Sequence, residues 1–150
     1  MATIKTFNLA SLESISDILG ETSTGLTGTQ ISKYLAECNI SDPQLNSTKR
    51  KRLYDALALK QNNDKCANNV LNFLKHAMHP SRHIQNQEWF FTTRNQLNVA
   101  LSFEGLELTE SGDFKQTNQV KTFSEAEERA KNLRKVLLDR KIHPDVLTFC

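Results

Sequence analysis

The sequence predicts a mainly α-helical domain carrying one small β-hairpin, an α+β arrangement with the strands as a minor part. Three observations carry that expectation. Apolar residues recur at three- and four-residue spacing in six stretches of the 150-residue chain, the pattern of helices that bury one face. Two capping boxes, Thr27 with Gln30 and Ser124 with Glu127, stand where such stretches begin, each offering a hydroxyl and a side-chain carbonyl or carboxylate to the unpaired amides of a first turn. Only around Ser111-Gly112 does a turn signal separate two short runs of strand-forming residues. A chain of this length buries about two thirds of its unfolded surface, and no repeat, low-complexity tract or linker divides it. It reads as a single module over residues 1–150.

Taken in order, Leu9, Leu12, Ile15, Ile18 and Leu19 predict a short first helix, with Ser11 as its cap and Gly20 as a left-handed terminator. The Thr27 box, with Leu26 and Ile31 as a hydrophobic staple, opens a second helix that buries Ile31, Leu35 and Cys38. Asp42-Pro43 breaks the chain. Ser47 or Thr48 then caps a third helix, Thr48 to Lys60, with Leu53, Ala56, Leu57 and Tyr54 inward and its first-turn cations and Lys60 in solvent. Gln61 to Asp64 form the next connection. The fourth helix, Lys65 to Met78, has Val70, Leu71, Phe73, Leu74 and Ala77 as its stripe and ends before Pro80. A longer helix from Asn86 buries Trp89, Phe90, Thr93, Leu97, Ala100 and Leu101 and stops at Gly105. Leu106 to Thr109 and Phe114 to Thr117 form the hairpin, and the Ser124 box opens a last helix with Ala126, Ala130, Leu133 and Leu137 inward. Val146, Leu147 and Phe149 put apolar residues where termini are usually polar, which predicts either a docked tail or continuation into further structure.

Charge is unevenly distributed. Residues 1–45 hold two cations and five anions, residues 46–94 nine and three, and residues 95–150 eight and nine, for a net charge of +2. A basic middle between mildly acidic flanks creates a local field that attracts polyanions whatever the total. Cys38, Cys66 and Cys150 contain no C-x-x-C pair and are odd in number, so they read as reduced thiols. With no apolar run long enough for a signal sequence or membrane span, the expected compartment is the cytoplasm.

The chemistry concentrates at Thr48 to Arg52. Lys49, Arg50, Lys51 and Arg52 crowd a helix start, where the dipole and the unpaired N–H groups favour anions. Two readings stand side by side. The cluster holds an external phosphate, with Lys33 and Lys60 as flanking charges, or Glu37 or Asp42 neutralises it from within. The first three helices resemble a helix-turn-helix, and the hairpin could serve as a wing, although nine residues separate the supporting and recognition helices where three or four are usual. His76, His79 and His83 have ligand chemistry, but Pro80 interrupts them and no fourth ligand lies at suitable spacing, so no metal or other cofactor is expected and the histidines are read as fraying into solvent at a helix end. Glu104, Glu107, Glu110 and Asp113 read as a solvated turn, and Trp89-Phe90-Phe91 as core with adjoining surface. No phosphate-binding glycine loop, nucleophile elbow or H-E-x-x-H pair occurs, so the chain is expected not to be an enzyme.

The segments GLTGTQISKYLAECNISDP, TKRKRLYDAL, NFLKHAMHPSR, LNVALSFEGLEL and FSEAEERAKNLRKVLLDRKIHPDVLTFC, in this order, resemble the region ahead of the Ymh-type domain in bacterial proteins related to the AbiJ-like abortive-infection group. The resemblance runs from about Leu12 to Cys150. It implies a role in phage defence or growth arrest, with a HEPN-type helical effector domain, often a ribonuclease, following in the longer protein. The R-x4-6-H motif of HEPN ribonucleases has no counterpart here, since Arg134 and Arg140 precede His143 by nine and three positions. The expected role is therefore non-catalytic. One form is a DNA- or RNA-binding or sensing module. The alternative is a protein-interaction or dimerisation module, including a homodimer, that controls the effector domain.

Overall fold

The computed structural model describes residues 3–42 and 47–129. Within them the chain forms α1 (Leu9–Leu19), α2 (Gly28–Glu37), α3 (Lys49–Asp64), α4 (Asn68–Ala77), a 3-10 turn (Pro80–Arg82), α5 (Gln87–Ser102) and the strands β1 (Leu106–Leu108) and β2 (Phe114–Gln116). Residues 123–129 begin a further helix. The mainly helical class with one small hairpin is the fold observed.

The elements pack in a chain of neighbours. α4 lies on α3, α3 on α1, α1 on α5 and α5 on β1, while α2 sits against α4 and the side of α3. Leu12, Ile15, Leu19, Leu53, Leu57, Phe73, Leu74 and Leu97 are fully buried where these helices meet. An N-terminal strap ties the stack across. Ile4 N–H donates to Asn68 Oδ1 at 2.8 Å and its carbonyl accepts from Ala67 N–H, while the Gln61 amide bonds both the N–H and the C=O of Phe7 at 2.9 Å. Asn8 N–H and the Ser11 hydroxyl both donate to Glu104 Oε2. Buried backbone groups need partners, and here side chains distant in sequence supply them.

Several local expectations hold. The Thr27 hydroxyl accepts from Gln30 N–H and the Gln30 side-chain Oε1 accepts from Thr27 N–H, and Leu26 and Ile31 are buried beside the box. Thr48 caps α3, and Asn86 precedes α5. All five stripe residues of α4 are buried.

Others are corrected. Asn8, not Ser11, caps α1, because Ser11 is already turned inward to Glu104. Gly20 has φ −98°, outside the left-handed region; it is required for space, since a Cβ there would meet the Arg50 backbone at 2.8 Å. α3 continues through Gln61 to Asp64 and ends at Lys65 with φ 60°, because Gln61 is needed in the helix to hold Phe7. α4 accordingly starts at Asn68 rather than Lys65. The last helix is capped two residues early, by Thr122 and Glu125 instead of Ser124 and Glu127. Ala126 is buried as expected; Pro43 to Asn46, Ala130, Leu133, Leu137, Val146, Leu147 and Phe149 lie outside the described residues.

The hairpin pairs Leu106 with Gln116 and Leu108 with Phe114 in antiparallel register, and Gly112 takes the φ of 88° that its turn demands. Its packing partner is α5, not α3. Arg94 Nε and Asn98 Nδ2 both donate to the Leu108 carbonyl, and Leu108 N–H donates to Asn98 Oδ1 at 2.7 Å. A wing that serves a recognition helix has to flank it; this hairpin packs instead on α5, with its Gly112 turn against Met78 and Pro80.

Candidate nucleic-acid interface

The turn between α1 and α2 is the floor on which the basic cluster rests. Glu21 organises it: Oε2 accepts from Ser23 N–H and Thr24 N–H, both at 2.7 Å, and from the Thr24 hydroxyl at 3.0 Å. These donors, with Arg50 adding a smaller share, hold the Glu21 carboxyl below the ordinary carboxylate range. Gly20 lets the first turn of α3 approach within backbone contact, so the start of α3 is seated on this turn. Trp89 closes the other side by donating its indole N–H to the Thr24 carbonyl.

Each cation of the cluster then meets a different environment. Lys49 Nζ donates to the carbonyls of Leu26 at 2.8 Å and Thr22 at 3.3 Å. Arg50, about half exposed, faces Glu21 Oε1 at 3.7 Å. Lys51 projects into solvent. Arg52 turns inward to 7% exposure, where its guanidinium donates to Asp42 Oδ2 at 2.5 Å and to the Ser32 hydroxyl at 2.8 Å. The expectation that all four first-turn cations face solvent is therefore corrected for Arg52. Its position explains the change: Arg52 lies four residues before Ala56 and next to Leu53, on the stripe that continues through Leu57 to Gln61. Of the flanking charges, Lys33 is exposed on α2 beside Ser32, and Lys60, a partly buried side chain, lies 3.5 Å from Asp64 one turn on.

The structure thus brings Lys49, Arg50 and Arg52 together around the α1–α2 turn and the Asp42 carboxylate, and leaves Arg50, Lys51 and Lys33 with open access. The first three are cross-links between segments. Lys60 belongs to the other end of α3.

The histidines go to three separate places. His76 Nδ1 and Arg82 both bond Glu37 Oε1, at 2.8 and 2.9 Å, and Arg82 lies over the Tyr34 ring at 4.7 Å. The hydrogen bond from His76, then the hydrogen bond and charge of Arg82, hold the Glu37 carboxyl below the ordinary carboxylate range against a smaller effect of burial. His79 accepts from Ser81 N–H. His83 is buried, contrary to the expectation of fraying: it donates from Nε2 to the Ala77 carbonyl at 2.7 Å, with Trp89 4.8 Å away. Among the described residues no three His, Cys, Asp or Glu side chains gather as a metal site. The acidic run is likewise divided, since Glu104 serves the N-terminal strap and Glu107 is buried with Lys115 3.6 Å away, leaving Glu110 and Asp113 exposed.

A groove of about 1290 Å³ opens between the strap, α1, α5 and the segment after β2. Phe103 and Phe123, an edge-to-face pair, stand in its wall, and Phe123 is 73% exposed. Sequence reasoning missed it, because its walls come from four segments that only the fold brings together. No helix among the described residues is long and apolar enough to cross a membrane. Comparison with known proteins adds no identity: no family model matches the chain, and neither a curated protein nor a solved structure is significantly similar to it.

Proposed function

We propose that this chain is a non-catalytic interaction module in which the basic cluster is chiefly a structural device, and that its partner is a polypeptide, in line with the HEPN-like effector domain that the family resemblance implies. The observation that supports this reading is the pairing of the cluster. Lys49 is held by two carbonyls, Arg50 is near Glu21, and Arg52 is buried on Asp42 and Ser32. Arg52, neutralised by the half-buried Asp42 carboxylate, cannot also neutralise a phosphate and release its counterion, and Lys49 and Arg50 are each partly engaged within the fold.

A second reading is favoured by the remaining charges. Arg50, Lys51 and Lys33 are exposed, and the Arg52–Ser32 bond draws the Lys33 end of α2 toward the start of α3. On that reading the chain contacts nucleic-acid phosphates sparsely and without sequence preference.

Titration against duplex DNA, single-stranded DNA and structured RNA at several salt concentrations separates the two. Each phosphate contact on a duplex contributes about −0.9 to the slope of log K against log salt. The interaction module is expected to bind weakly, with a slope no steeper than about −3, since only two or three cations are free. Submicromolar binding at physiological salt with a slope of about −4 or steeper, lost in Arg50→Gln/Lys51→Gln, replaces it with the nucleic-acid reading. Sedimentation over a range of concentrations tests whether the partner is a second copy.

A further inference from the structure

We draw no further inference here: the strongest candidate, the groove between the N-terminal strap, α1, α5 and the segment after β2, has mixed polar and apolar walls and charges of both signs, and nothing in the structure shows what covers it.

Discussion

Two arginines are buried in different parts of this molecule, and they are held in different ways. Arg52, at the α2–α3 end, meets a carboxylate and a hydroxyl. Arg94, at the α5–hairpin end, is only 4% exposed and its Nε meets a backbone carbonyl. Burial disfavours the charged form of Arg94, an effect that Glu110 and Glu107 oppose. The first end is closed by an ion pair between side chains. The second is closed by a small polar network in which the Leu108 carbonyl has two donors, Arg94 and Asn98, and the Leu108 amide one acceptor. The pair fails when Asp42 is lost, because Arg52 is left charged and buried. A carbonyl with two donors tolerates the loss of one.

The largest expected effect tests the ion pair. Asp42→Ala should destabilise the domain by about 3 kcal/mol in urea melts, since it strands the Arg52 charge. Adding Arg52→Met to that variant should recover part of the loss, because the stranded charge is removed while an apolar stem fills the site. A loss under about 0.5 kcal/mol for Asp42→Ala, within the range of ordinary surface substitutions, would mean that the pair does not close this end.

At the hairpin end the two donors are expected to differ. Asn98→Ala should cost about 2 kcal/mol, because it orphans the buried Leu108 N–H, whereas Arg94→Met, which leaves the carbonyl its Asn98 bond, should cost about 1 kcal/mol. The opposite order in matched denaturant melts would assign the anchoring to the guanidinium.

A smaller effect comes from the capping box. Thr27→Ala should cost about 1 kcal/mol, the usual value for a lost N-cap, and Thr27→Ser should restore most of it in a thermal melt.

The acid limb of the stability profile tests the two engaged carboxylates. Glu37 and Glu21 both ionise below the ordinary value of 4.5 in the folded state. Their contribution is therefore present above that value and is lost as pH falls through the lower folded values. Glu37→Gln and Glu21→Gln should each flatten the fall in stability below about pH 4.5 without changing its shape above pH 6. A profile identical to that of the parent would show that these bonds do not outlast solvent.

The smallest effect is chemical. Burial pushes the Cys38 thiol up to about 11, so it should resist a thiol reagent at pH 8 in the folded protein and react only after denaturation, whereas the partly exposed Cys66 should react in the folded state.

The sequence by itself determined that these helices form and which apolar residues most of them bury, because apolar spacing and caps act within a few residues of one another, whereas the end of α3, the start of α4 and the cap of the last helix moved by two to four residues. The Thr27–Gln30 box, the Leu26–Ile31 staple and the α4 stripe needed nothing beyond their neighbours. It also raised the alternative that Glu37 or Asp42 neutralises the cluster; Asp42 meets Arg52, while Glu37 is engaged by His76 and Arg82, and the continuation of the Leu53–Ala56–Leu57 stripe to Arg52 and Gln61 was present in the spacing. The tertiary structure decided which polar groups face inward. Ser11 turns to Glu104, ninety-three residues away, Gln61 to Phe7, and Arg94 to Leu108. It also decided why Gly20 is glycine, which depends on the Arg50 backbone lying against it. Apolar periodicity marks a buried face because every apolar group there gains from burial. A polar side chain gains only when a specific partner is waiting at hydrogen-bonding distance, and whether one is waiting depends on how the whole chain has folded.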